Sequence, residues 1–359
     1  MDRPFHVAQL VSGVGINGAI RHCYELTCEL ALHGCTVTLV HRPDAWIGQQ
    51  AFPEGVELLE STLKRKWSEL KRVAAELRKR KCDVLHTHMS SAHFFGVLLA
   101  RFFRMKSVAT CHMPLLQPHW WWNDRIIAPC GSVVRFQRWI NAVPLKRIDK
   151  IPNFINPSRF RSKRDRATMR AQLELPTDAF VIGVVGSVDS RKGMRYLVEA
   201  LPILSARGLG PSIVSAGPVD ESYMRELHGL ISQHSLQSQI RFLGRRNDVA
   251  DLMTAFDCVA LPSKKEVMPI SLMESMAVGL PVLATSVGGI PEFVRDGVDG
   301  FVVSPRNPKA LADAIAQWMA NPQLLAQMGG SAKCSMAETY SPSHLIPQIL
   351  STYRRAAAA

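Results

Sequence analysis

The chain has little of what a cross-linked, membrane-spanning or metal-centred protein requires. Its eight cysteines are scattered and include no C-x-x-C pair. That spacing argues against a disulfide framework and fits reduced thiols in a cytosolic compartment. The longest apolar run, residues 94–99 and on past Arg101 to Phe103, falls short of the roughly 20 residues that a spanning helix needs. It reads as a core or interfacial helix. No apolar stretch follows Met1, and the first residues lead straight into a strand pattern, so no signal peptide is expected. His86, His88, His93 and His112 lack a cysteine or carboxylate cluster to complete a coordination shell, so no metal is expected. Disorder is expected only in the Ala-rich tail after Arg355.

What remains is a 359-residue chain, 47% hydrophobic and 20% charged. Such a length exceeds one ordinary core and suits two α/β domains. The net charge of +13 is uneven: residues 1–160 hold 22 Lys+Arg against 12 Asp+Glu, residues 161–359 hold 21 against 18. Nucleic acid, an anionic membrane and a phosphorylated acceptor each account for a basic first half.

Strand and helix patterns alternate. Strands are expected at 5–11, 36–40, 84–88 and 107–111, with helices at 19–33, 63–80 and 92–104. The pattern restarts with a strand at 180–186, a helix at 194–206 and strands at 212–216, 240–243, 258–261 and 282–285. This alternation implies parallel sheets covered on both faces. The organisation reads as an α/β chain with two Rossmann-like parallel-sheet domains facing each other across a cleft. The first domain spans 1–155 and a basic linker 156–170. The second domain spans 171–340. Residues 341–359 form a C-terminal helix that returns to the first domain and ends in a disordered tail. Ligands of such sheets bind at the carboxyl ends of strands.

Three loops occupy that position. Gly13, Gly15 and Gly18 match G-x-G-x-x-G between a strand and a helix, where backbone can approach phosphate. The second strand ends in Val40, His41 and Arg42 without the acid that holds a nicotinamide ribose. The run therefore reads as a glycine loop facing the cleft for a reason other than a nicotinamide cofactor; an NADP-dependent oxidoreductase using Arg42 is one alternative, and a plain tight turn another. In the second loop, Gly186 and Ser187 end a strand and Arg191, Lys192 and Gly193 precede a helix. Small residues admit a phosphate and the basic pair neutralises it; a solvated turn with two surface charges gives the same text. The third loop runs from Pro262 through Glu266, then Met268, Pro269 and Ile270 into a helix that carries Glu274. The unpaired N–H groups and positive end of that helix suit a diphosphate. Glu266 and Glu274 suit hydroxyl groups, since each carboxylate accepts several hydrogen bonds.

The run from Leu261 to Ser304, with Glu266, Glu274, Gly279, Pro281, Gly288, Gly289, Pro291, Glu292 and then Asp296, Gly297, Gly300 and Phe301, closely resembles glycosyltransferase family 4, the retaining GT-B enzymes. Arg21 and His22, His86 and His88, Thr110 and His112, Ile151 to Asn153, and Lys192 and Gly193 look similar as well. The resemblance implies transfer of a sugar from a nucleoside diphosphate donor to an acceptor hydroxyl, with retention. It assigns Lys192 to the diphosphate, Glu266 and His112 to the donor sugar and Glu274 to the ribose. It implies no protein nucleophile, no cofactor and no required metal; the leaving diphosphate helps to deprotonate the acceptor. A role in cell-surface polysaccharide or glycolipid synthesis follows, with a sugar or lipid-linked acceptor. The chain departs from the family at Ser187, where arginine is usual, with Arg191 four residues on as its replacement. It departs again at Val267, where glycine is common, and at Asn17 to Arg21. A GT-B protein that binds without turnover remains the alternative of a different class.

Residues 63–80 are amphipathic, with Leu63, Trp67, Leu70, Val73 or Ala74, and Leu77 on one stripe. The opposite basic face is either merely solvated or a surface for an anionic membrane, which would place the protein in the cytoplasm, peripheral on the inner face of the membrane. Nucleic acid is not expected as a partner, because no aromatics interleave with these charges. Trp120, Trp121 and Trp122 face an acceptor or form a lid.

Overall fold

The computed structural model describes residues 3–359, which divide into two compact units. The first extends through Phe154 and takes in Pro342–Ala359; the second is Ile155–Ser341. In chain order the first unit holds β1 (His6–Val11), α1 (Gly18–Leu32), β2 (Thr36–His41), β3 (Val56–Glu60), α2 (Trp67–Lys79), β4 (Val84–His88), α3 (Ser90–Phe103), β5 (Ser107–Thr110), β6 (Arg125–Ala128), α4 (Gly131–Trp139) and β7 (Ile148–Lys150). All pairings are parallel, in the order β3-β2-β1-β4-β5-β6-β7. Strands buried on both faces usually read as near-continuous apolar runs; β1, β2 and β4 are buried but interleave His6, Gln9, Thr38, His41, His86, Thr87 and His88, each hydrogen-bonded, among their apolar residues. Leu10, Val40 and Leu85 meet Leu70, Val73 and Leu77 of α2 and Phe95 and Leu99 of α3 in one core.

The second unit begins with α5 (Arg166–Gln172) and continues through β8 (Val181–Val185), α6 (Met194–Ser205), β9 (Ser212–Ala216), α7 (Glu221–Gln233), β10 (Ile240–Phe242), α8 (Val249–Thr254), β11 (Cys258–Leu261), α9 (Ile270–Ala277), β12 (Val282–Thr285), α10 (Ile290–Phe293), β13 (Gly300–Val303), α11 (Pro308–Ala320) and α12 (Pro322–Glu338). Its parallel order is β10-β9-β8-β11-β12-β13. Ile182, Leu197, Leu201 and Ile213 pack with Ile315 and Trp318. Both sheets reverse strand order at one place, between β1 and β4 and between β8 and β11. A doubly wound sheet opens a crevice at that place, outside the strands' carboxyl ends.

Three expectations are corrected here. The stretch 156–170, expected as a linker separating the domains, packs as part of the second unit. Asp165 caps α5 by accepting from Thr168 N (2.8 Å), and Arg166 and Arg170 both pair with Asp257. The alanine tail continues the last helix, α13 (Pro342–Ala357), as suits the best helix former. α13 packs on the first unit: Arg355 Nη2 lies 2.8 Å from Asp149 Oδ1, and Tyr353 is fully buried. Finally, α2 starts at Trp67, not Leu63. Ser61 Oγ donates to Glu69 Oε1 (2.7 Å) and Thr62 N does likewise (3.1 Å), while Leu63 takes a φ of 52°, so the chain before the helix is tied back. Arg72 beside Glu69 draws that carboxyl's pKa down to about 2. Trp67 is 49% exposed and packs edge-on against Phe102 instead of joining the buried stripe.

Candidate functional site

In the second unit the two loops at the strand-order reversal build one cluster. β8 runs into Gly186, whose φ of 140° lies in the region that favours glycine. A Cβ on Gly217 would stand 1.9 Å from Gly186 O, so the loops after β8 and β9 touch backbone to backbone. Ser187 Oγ then donates to Asp189 Oδ2 (2.6 Å), and Asp189 Oδ1 accepts from the backbone N–H of Arg191 (2.9 Å) and Lys192 (3.0 Å). Such an aspartate turn folds the loop on itself and fixes both cations at the start of α6. Ser187 thus serves the turn, in the position where the family's arginine would stand.

The loop after β11 brings the acid. Glu266 Oε1 accepts from Lys192 Nζ (2.7 Å), Ser263 Oγ (3.0 Å) and Arg191 Nη1 (3.2 Å). The Glu266 and Lys192 side chains are only 7% and 13% exposed. An ion pair withdrawn this far from water stabilises little by itself, because desolvation offsets attraction, but breaking it strands a charge. Two devices hold the loop. Gly288 has φ 61° and lies so close to Glu266 O that a Cβ would stand 1.9 Å from it. Gly289 N donates to Val267 O (2.8 Å) and Thr285 Oγ1 to Ser263 O (2.5 Å). Val267 has no positive φ, so its backbone does not demand the glycine common in the family.

Met268 is buried, and α9 follows Pro269 with no side-chain cap on its first N–H groups. Ile270 opens the helix and Glu274, half-buried, stands one turn on. Of the residues expected from sequence, Gly186, Ser187, Arg191, Lys192 and Glu266 are brought together. Ser263, Asp189 and Thr285 were missed as site residues. Asp189, two and three residues ahead of the basic pair, was the available signal for the turn.

In the first unit Asn17 caps α1, accepting from Ile20 N (3.0 Å). A Cβ on Gly13 would meet Ile20 Cδ1 at 2.3 Å, so that glycine serves close packing, whereas Gly15 faces open space and Gly18 is the first helical residue. β2 ends at His41, and Arg42 is exposed. The imidazoles form a cluster in which His22, His86, His88 and His93 are buried and His112 is half-buried. His86 and His88 rings are 4.3 Å apart, and His88 Nδ1 lies 2.9 Å from His112 Nε2. His93 Nδ1 meets Thr87 Oγ1 (2.8 Å). His22 stands edge-on to His112 at 5.3 Å, with Nδ1 buried and unpartnered. Burial lowers the pKa of His22 to about 4 and of His93 to about 3. Burial, then neighbouring imidazoles, also holds His86, His88 and His112 well below the usual range. Among the described residues no group of three or more His, Cys, Asp or Glu is placed to hold a metal ion. Trp120 is buried against His93 and donates to Leu115 O (3.3 Å), while Trp121 and Trp122 are exposed.

Comparison with known proteins bears on both halves. The model of Glycosyltransferase Family 4 matches residues 16–159 and that of Glycosyl transferases group 1 matches residues 165–334. An uncharacterized glycosyltransferase of Methanocaldococcus jannaschii is 27% identical over 300 residues, 76% of this chain and 75% of that protein. The D-inositol 3-phosphate glycosyltransferase of Mycobacterium avium is 31% identical over 238 residues, 65% of this chain. The chain spans 55% of that relative's length. Anabaena HepE, solved with UDP and glucose, superposes with a TM-score of 0.82 at 21% identity, covering 97% of this chain and 99% of its own, which establishes the fold as GT-B. With two family models matched in order along both units, the chain belongs to glycosyltransferase family 4, the glycosyl transferases group 1 family.

Proposed function

We propose that the protein is a retaining glycosyltransferase that moves a sugar from a nucleoside diphosphate donor to an acceptor hydroxyl. The observation that carries this reading is the convergence of Lys192 and Arg191 on Glu266 at the carboxyl ends of β8 and β11. Two cations beside an uncapped helix start neutralise a diphosphate as its bond to the sugar breaks. Glu266, held by Ser263 and the cations, orients sugar hydroxyls; His112 is assigned to a sugar hydroxyl by the family resemblance. Glu274 holds the ribose. The departing diphosphate takes the proton of the acceptor hydroxyl as the new bond forms on the same face. The chain's own cations do the neutralising, so turnover should persist in EDTA. HepE has been solved with UDP-glucose, which makes UDP-sugars the first donors to test. Release of UDP from a panel of UDP-sugars with sugar and lipid-linked acceptors is the expected result. Tight binding with no turnover across UDP-, GDP- and ADP-sugars would establish a binding protein instead.

The acceptor is a sugar or a lipid-linked sugar in cell-surface polysaccharide or glycolipid synthesis, met at the inner face of the cytoplasmic membrane. Among the described residues no helix is long and apolar enough to cross a membrane. The support for a peripheral contact is the basic face before and along α2, with exposed Trp67 and Phe102 beside it. Arg72 is engaged by Glu69 and Arg78 by Phe103 O. Only Arg72 is neutralised by an acid, and Arg78 keeps its charge; Lys64, Lys66, Lys71 and Lys79 add to the electrostatic attraction, at about 1 kcal/mol for each lysine near an anionic surface. Changing all four to Glu should weaken binding to phosphatidylserine vesicles at least about a hundredfold at low salt. Wild-type binding should weaken as salt rises. Vesicle binding indifferent to both would remove this part of the reading.

A further inference from the structure

A line of buried polar groups in the first unit runs from α13 to His112. Tyr353 OH lies 2.6 Å from His86 Nδ1, and His86 Nε2 lies 2.7 Å from Thr110 Oγ1. Gln9 Nε2 donates to Tyr353 OH (3.3 Å). Gln9 Oε1 lies 2.7 Å from His88 Nε2, and His88 Nδ1 lies 2.9 Å from His112 Nε2. Gln9, His86, His88 and Tyr353 are all fully buried. The imidazoles there are neutral, because burial penalises the cation.

A neutral imidazole has one donor and one acceptor nitrogen, and the bond made by one sets the role of the other. An amide oxygen only accepts, so His88 Nε2 carries the proton and His88 Nδ1 a lone pair. His112 Nε2 must then donate to it, which leaves the lone pair of His112 on Nδ1. The far end has the same sense: Tyr353 OH, receiving from Gln9, donates to His86 Nδ1, and His86 Nε2 donates to Thr110. His112 itself is only partly buried, and its Nδ1 makes no hydrogen bond among the described residues. We propose that Gln9 and His88 are positioning residues that hold His112 as the Nε2–H tautomer, so that its Nδ1 is presented as the acceptor for a hydroxyl of a bound sugar. The identity of that ligand rests on the transferase reading above; the tautomer does not.

The test has two arms. Long-range proton–nitrogen NMR of the full chain with 15N-labelled histidine reads the tautomer directly, with the His112 signal identified by its loss in His112→Asn. The expected result is a protonated Nε2 and an unprotonated Nδ1 at neutral pH. In kinetics, His88→Phe should lower kcat about ten- to hundredfold and leave UDP affinity within about twofold. His88→Asn, with an oxygen near the Nδ1 position, should recover most of the loss. A proton on Nδ1 of His112 overturns the proposal, as does full turnover in folded His88→Phe, or equal losses in the two folded variants. If His88→Phe does not fold, the labelled wild-type chain decides. If the wild type turns over no donor, the transferase reading fails while the tautomer arm still stands or falls by itself.

Discussion

Lys192→Ala should lower kcat by about a hundredfold or more while the protein stays folded. Lys192 Nζ lies 2.7 Å from Glu266 Oε1 and its side chain is 13% exposed, so its charge acts where water screens it poorly. A preorganised charge at a leaving group contributes roughly 3 kcal/mol, and each 1.36 kcal/mol is tenfold in rate. Arg191 lies 3.2 Å from the same oxygen but is 41% exposed, so Arg191→Ala should cost less, about tenfold. Lys192→Arg should not restore activity, since a planar guanidinium does not occupy the place of an ammonium. Stability should change modestly, because Ser263 and Arg191 still donate to Glu266. Steady-state kinetics beside thermal melts separates the two effects. Full turnover in Lys192→Ala would sink the diphosphate role. Full turnover in Arg191→Ala would sink only the idea that Arg191 stands in for the arginine absent at Ser187.

The parts of this site that were legible in the sequence are those whose cause is local. Gly186, Arg191 and Lys192 could be placed because a strand, a short loop and a helix start follow one another within a dozen residues. The first helix was legible at its C-terminal end, where Gly34 follows it, but its N-cap, Asn17, was not singled out. What escaped depends on partners far off in the chain. Arg166 and Arg170 read as part of a basic linker, and the acid that pairs with both, Asp257, lies far along the chain. Tyr353 reaches His86 across 267 positions and Gln9 across 344, so no pattern could tie the last helix to His112. Strand β3 was missed for a different reason. As an edge strand with Glu57 and Glu60, it exposes most of its side chains and carries no buried alternation. The start of α2 was misplaced because Leu63 continues the helical stripe by spacing alone, whereas Ser61 and Glu69 fix the turn before it.

The two glutamates of the third loop should fail in different ways. Glu274 is proposed for the ribose, so Glu274→Gln should weaken both UDP and the full UDP-sugar. Glu266 is proposed for the sugar, so Glu266→Gln should weaken the UDP-sugar and leave UDP nearly unchanged. Losing a hydrogen bond to a charged group costs on the order of 1.5–3 kcal/mol, about a tenfold to hundredfold change in affinity. Glu266 adds a second consequence, because it neutralises Lys192 at 2.7 Å and Arg191 at 3.2 Å. Without its charge both cations are left to the diphosphate, so UDP should bind Glu266→Gln no more weakly than it binds the wild type. A purely structural ion pair predicts another pattern. The melting temperature falls under either reading, because removing one partner of a buried pair costs about 3–5 kcal/mol of stability; the structural one has both ligands weakened alike or not at all. Calorimetry of both variants with both ligands, beside their melting temperatures, discriminates between these outcomes. A loss of UDP affinity confined to Glu266→Gln would mean that the two roles are exchanged.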